Sequence, residues 1–140
     1  MSSIDNNLED IPSPTGELTL KIAATPQDTN IYGDIAGGWL VSQMDLAAEI
    51  SAGKLAKGRT ATVAISEMDF LCPIRIGSTV SIYTLIEDVG HSSMNILVEA
   101  WIQPPFEADE QELYKVSEAR FVMVAIDDNG RIRAVPSTDY

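Results

Sequence analysis

Cysteine and histidine are almost missing from this chain, which holds one of each, Cys72 and His91, among 140 residues. A lone cysteine excludes an intrachain disulfide and a cysteine-rich zinc site. With one histidine besides, no His/Cys cluster is available to hold a metal, and none is expected. Positive charge is scarce as well. Nine Lys and Arg face 21 Asp and Glu, a net charge of −12. A phosphate backbone is not drawn to such a field, so no nucleic-acid partner is expected. Long apolar runs are absent, which argues against a membrane span. The opening Met1-Ser2-Ser3-Ile4-Asp5-Asn6-Asn7 has neither a basic n-region nor an apolar h-region, so no export signal and a cytoplasmic location are expected. G-x-G-x-x-G, the P-loop and the nucleophile elbow do not occur.

What is present suits one folded domain. Hydrophobic residues make up 45% and charged residues 21%, enough to bury a core in a chain of this length. Residues 1–16, with Pro12, Pro14 and Gly16, read as a loose tail, and 137–140 as a second one. Glu17 to Ala23 alternates polar and apolar, the pattern of a half-buried strand. A turn-rich stretch from Thr25 to Gly38 leads into a helix from about Gly38 to Ala52, ended by Gly53. Strands follow at Thr60–Leu71, Thr79–Val89, Met94–Gln103 and Leu113–Ile126. Gly90-His91-Ser92 makes a hairpin connection, and Glu107, Asp109 and Glu110 lie in a protruding loop. One long helix must bury its apolar faces on something, and an antiparallel sheet is on offer, so the fold class is α+β.

Within the helix, Ser42, Asp45 and Glu49 share a narrow stripe at 100° per residue, while Trp39, Leu40, Met44, Ala47 and Ile50 cover the rest. A carboxylate set in such an apolar helix either faces water or does chemistry. Glu49 is a like charge one turn on, or a solvated helix-face residue. Lys54, Lys57 and Arg59 form one candidate basic cluster, either a local patch for an anionic ligand or solvated cations that complement the carbonyl end of a helix. His91 falls in a turn, with a surface role or a ligand contact open to it. Cys72, before Pro73, reads as an inert buried thiol; a Cys72–His91 nucleophilic pair has no orienting partner in view. Glu67 and Asp69 read as solvent-facing, and Trp39 and Trp101 as core or interface aromatics.

The run Asp28-Thr29-Asn30-Ile31-Tyr32-Gly33-Asp34-Ile35-Ala36-Gly37-Gly38-Trp39-Leu40, followed by Ser42-Gln43-Met44-Asp45, resembles the hotdog-fold acyl-CoA thioesterases, and among them the bacterial YciA-like branch. The likeness continues through Met68–Ile74, Gly77 and Gly90-His91-Ser92-Ser93 to Ala134-Val135-Pro136, so it spans residues 17–136. It implies a single hotdog domain, one long central helix wrapped by a five- to six-stranded antiparallel sheet. The implied activity is hydrolysis of an acyl-CoA thioester to a free acid and CoA, with no metal or organic cofactor. It also implies that Asp45 is the catalytic carboxylate, that Asn30 positions or activates it, and that Gly37 and Gly38 bring backbone close to the thioester. Asp34, Ser42, Gly90, His91, Ser92 and Arg59 are the candidate substrate contacts. The implied assembly is a homodimer, built up into a hexamer as a trimer of dimers. The chain departs from the family pattern at Ala36, where relatives carry an aromatic residue, at Cys72, where they carry arginine, and at Val89, where they carry a basic residue. The last change removes a phosphate contact.

A rise of ~1.5 Å per residue sets Asp45 roughly 10 Å along the axis from the Gly37-Gly38 amides, too far for its short side chain to close. A composite site is therefore expected, with Asp45 from one subunit and Asn30, Gly37 and Gly38 from its partner. Asp45 serves there as general base or as nucleophile. Two rivals stand beside this reading. A hydroxyacyl-thioester dehydratase would want a histidine near the helix, which the placement of His91 disfavours. A non-catalytic acyl-CoA sensor would fit the loss of basic phosphate contacts.

Overall fold

The computed structural model describes residues 12–106 and 112–137. Strand β1 (Glu17–Ala23) comes first, then a short 3-10 turn at Pro26–Asp28 and helix α1 (Gly37–Ala56). Four strands follow: β2 (Thr60–Phe70), β3 (Thr79–Val89), β4 (Ser93–Gln103) and β5 (Tyr114–Ala125). They form one sheet in the order β1-β3-β4-β5-β2, antiparallel at every pairing. The sheet has five strands. The expected loop at Glu107, Asp109 and Glu110 lies outside the described residues, as do 1–11 and 138–140 of the expected tails. No helix among the described residues is long and apolar enough to cross a membrane.

Alternation builds the core. Val80 and Ile82 of β3, Met94, Ile96, Val98, Ala100 and Ile102 of β4, and Ala119, Phe121, Met123 and Ala125 of β5 are buried together with one face of α1. That helix face is Leu40, Met44, Ala47, Ala48, Ala52 and Ala56, recurring at three- and four-residue spacing. Four alanines let the helix axis settle close to the sheet, and α1 touches all five strands.

Gly53 does not end the helix. The helix runs on to Ala56 and stops at Lys57, which takes the left-handed conformation with φ 54° and sends its N–H back to the Gly53 carbonyl. Burying Ala52, Leu55 and Ala56 against the sheet outweighs the roughly 1 kcal/mol that an interior glycine costs. The Arg133 guanidinium then caps the end, donating from Nη2 to the Ala56 carbonyl at 2.8 Å.

The face of the sheet away from α1 carries a polar group of its own. Trp101, expected in a core or an interface, is buried there and donates from Nε1 to Glu99 at 2.9 Å. The Thr15 amide also donates to Glu99. Lys115 lies between Glu99 and Glu118. Partial burial works against its charge, but hydrogen bonds and attraction from the two glutamates outweigh it, so its pKa lies above that of an ordinary lysine.

Strand β2 forms one edge, paired only to β5. It exposes apolar side chains, with Val63 at 56% and Ile65 at 41%. Exposed apolar residues on an unpaired edge invite another strand.

Candidate active site

The loop before α1 is folded by its own hydrogen bonds. Asn30 Oδ1 accepts from the amides of Tyr32 at 2.9 Å and Asp34 at 3.2 Å. The Asn30 amide donates to the Asp34 carbonyl, and the Gly33 amide donates to the Asn30 carbonyl. Gly33 turns the chain at φ +85°, a region glycine enters without steric cost. Asn30 is thus the organiser of the approach to the helix, and in one chain its oxygen is committed to that turn. Asp34 is exposed and serves the same turn through its backbone.

Ala36 is the N-cap and provides no side-chain acceptor. The first-turn amides of α1, at Gly37 and Gly38, therefore face outward at the positive end of the helix. Crowding inside the chain does not demand glycine here. An added Cβ at Gly37 would meet only the Phe70 ring at 3.6 Å, and at Gly38 nothing within 4 Å. Bare backbone at these two positions is open to whatever approaches from outside. Next to it lies a cavity of about 340 Å³ lined mainly by Ile35, Ala36, Gly37, Phe70, Leu71 and Cys72. Cys72, expected to be buried, is instead exposed on the wall of this cavity. β2 has already stopped at Phe70, two residues before the thiol. Its Sγ lies 3.8 Å from the Lys115 carbonyl.

Asp45 is half-buried, neither solvent-facing nor sealed. One residue after the fully buried Met44, it sits where the helix seam meets β2. The Thr62 hydroxyl of that strand donates to Asp45 Oδ1 at 2.5 Å. Thr62 was not foreseen from sequence, because nothing local joins a threonine on a strand to a carboxylate 17 positions earlier. Ser42 and Glu49 are exposed on the same seam.

The remaining candidates collect at the other end of the helix. Arg59 donates from Nη1 to the Asp128 carbonyl at 3.0 Å, and the Ile126 amide donates to the Arg59 carbonyl. The Val135 amide donates to the His91 carbonyl, and the Ala125 amide to that of Ser92. Gly90 closes the hairpin by donating to the Ser93 carbonyl at 2.8 Å. The 20 residues of α1 span roughly 30 Å at 1.5 Å per residue. Asn30, Asp34, Gly37 and Gly38 therefore lie at one end, Arg59, Gly90, His91 and Ser92 at the other, with Asp45 between. A Cys72–His91 pair is ruled out by the same separation.

An uncapped helix start, an apolar cavity beside it and a carboxylate held by Thr62 further along are what this chain brings to the site. A family model described as the thioesterase superfamily matches residues 32–107, more than half the chain. The chain belongs to that superfamily, with the hotdog fold. Its relatives place it more narrowly, among the YciA-like acyl-CoA thioester hydrolases. It is 40% identical over 136 residues to the acyl-CoA thioester hydrolase YciA of Salmonella typhimurium, covering 97% of this chain and 98% of the relative. A solved hexameric broad specificity acyl-coenzyme A thioesterase is 42% identical with a TM-score of 0.85, over 91% of this chain and 86% of that one. The hexameric thioesterase of Yersinia pestis is 44% identical with a TM-score of 0.82, over 90% of this chain and all of the other.

Proposed function

We infer that this protein hydrolyses acyl-CoA thioesters to a free acid and CoA, as a cytoplasmic homo-oligomer that needs neither metal nor organic cofactor. The observation that carries the reading is Asp45, half-buried in an apolar helix and oriented by Thr62. Asp45 takes a proton from water as the water attacks the thioester carbonyl, or attacks that carbonyl itself to form an anhydride that water then opens. Either way the carbonyl oxygen becomes an oxyanion, which the Gly37 and Gly38 amides suit by position and polarity. Collapse of the tetrahedral species expels the CoA thiolate. The acyl group fits the apolar cavity, where Ala36 leaves room that a larger side chain would fill.

The eight-position step from Gly37 to Asp45 supports a catalytic unit of two chains, since one helix cannot offer both groups to one carbonyl. The apolar β2 edge is a surface on which a second copy can continue the sheet, and a twofold dimer makes two such sites. Chains carrying Asp45→Asn and chains carrying Asn30→Ala are each expected to be inactive. Random mixing restores one intact site in each mixed dimer, so about a quarter of wild-type activity is expected, half the dimers being mixed. Mixed dimers verified by mass spectrometry that stay inactive would refute the shared site.

Thr62→Val keeps the shape of the side chain and removes the donor. A hydrogen bond to a charged group contributes about 1.5–3 kcal/mol, so kcat/KM is expected to fall about ten- to hundredfold. Thermal stability should change little, because Thr62 is only partly buried. Steady-state release of free CoA thiol measures the first effect and a melting curve the second.

A further inference from the structure

A second cavity opens between the entry to β3 and the exit from β4. At about 570 Å³ against about 340 Å³, it is larger than the one beside Gly37. Its walls include Arg75, Ile76, Ser78, Ile102, Pro104 and Phe106. Cavities that hold small molecules measure roughly 300–1,000 Å³, so this one has the room. Pro73 lines both cavities, and the buried Ile74 lines the first alone. Neither Asp45, Thr62, Asn30, Gly37 nor Gly38 lies on its wall.

One side of the cavity is a turn held in place by β1. The Ser78 amide donates to the Arg75 carbonyl at 3.1 Å. Gly77, third in the turn, takes φ +91°, the positive angle that a type II turn needs at that position. The ends of such a turn lie within about 7 Å of each other, so Arg75 and Ser78 are neighbours. The Gly77 amide donates to the Ala24 carbonyl at 2.8 Å, and the Ala24 amide to the Ser78 carbonyl at 2.9 Å. Across the cavity stand Pro104 and Pro105, whose rings fix the backbone. Phe106 follows them, fully exposed and at φ 67°, a left-handed conformation that bulky side chains rarely take.

Two side chains on this wall are polar. Arg75 is exposed, and its guanidinium has no partner among the described residues. Ser78 is fully buried, and its hydroxyl is the one buried side-chain polar atom among the described residues without a hydrogen-bond partner. Leaving such a group unpaired is costly, which sets Ser78 apart from the rest of the interior. A cation beside a hydroxyl donor, set against apolar side chains, matches one chemistry: a carboxylate carried on a hydrocarbon chain. We propose that this cavity is a second binding site, which takes an aliphatic carboxylate with its head on Arg75 and Ser78 and its chain along Ile76, Ile102, Pro104 and Phe106. Thioester hydrolysis releases an acid of this kind. That source rests on the thioesterase reading, while the site itself does not.

Octanoate is the probe, titrated calorimetrically into the full chain. Arg75→Gln is expected to weaken its binding about three- to fivefold, the share of an exposed charge. Ser78→Ala should weaken it about tenfold, the share of a hydrogen bond to a charged group. Each CH2 removed from the probe should cost up to about fourfold, and octanol, which has no charge, should not respond to Arg75→Gln. The melting temperature of Ser78→Ala should hold or rise, because the hydroxyl it removes has no partner in the free protein. Arg75→Gln is a surface change and decides the matter if Ser78→Ala folds poorly. Binding should persist when a non-hydrolysable acyl-CoA analogue saturates the protein. Octanoate that is displaced by the analogue, bound equally by wild type and both variants, or not bound at all overturns the proposal. Octanoate bound by the wild type and weakened in the variants supports it whether or not any thioester is hydrolysed. Fast hydrolysis without such binding leaves the thioesterase reading standing and removes the second site.

Discussion

Asp45→Asn is expected to lower kcat for acyl-CoA hydrolysis by about a hundred- to ten-thousandfold, the range that a positioned general base contributes. The substitution is nearly isosteric, and the new amide oxygen still accepts from Thr62, so the carboxylate's geometry survives while its ability to take a proton or attack a carbonyl is gone. Fold and substrate binding should persist, because the helix is seated by Leu40, Met44, Ala47, Ala48, Ala52 and Ala56 and none of these changes. Free-thiol release gives the rate, and binding of a non-hydrolysable acyl-CoA analogue gives the affinity. Equal, negligible release by wild type and variant, with binding intact in both, would favour the sensor reading over the enzyme.

How much of this was legible beforehand depends on the range of the interaction. Period-two alternation marks β1 and β5, and the 3.6 period marks α1, because each pattern is written in neighbouring residues. The turn chemistry around Asn30, Gly33 and Gly37-Gly38 is equally local. Where the reading failed, distant contacts prevailed. Gly53 looks like a stop, yet the sheet beneath Ala52 and Ala56 carries the helix one turn further. Cys72 looks like a buried thiol, yet β2 stops at Phe70 and leaves it on the wall of a cavity. Thr62 and Asp45 meet only because β2 lies beside the helix seam, and Arg133 reaches Ala56 from 77 residues away. Neither pairing leaves a local trace. The role proposed for the β2 edge is further removed still, because it needs a second copy.

Phe121→Ala is expected to destabilise the protein by about 3–5 kcal/mol, the usual result of emptying a large aromatic site in a core. Phe121 is fully buried on β5, within the cluster that seats α1, and the alanines of the facing helix have no length with which to refill the space. A domain of this kind has about 5–15 kcal/mol of total stability, so a large share would be gone. Urea unfolding at fixed protein concentration checks it, since any assembly makes stability depend on concentration. A loss below about 1 kcal/mol would mean that the contact between helix and sheet does not govern the fold. Activity should fall as well, for a physical reason separate from the chemistry. Met44 anchors the turn that carries Asp45, and a helix that shifts over an emptied site breaks the register between Asp45 and Thr62. Asp45→Asn and Phe121→Ala thus both silence the site, one with its stability kept and the other by loosening the surface on which the carboxylate is held.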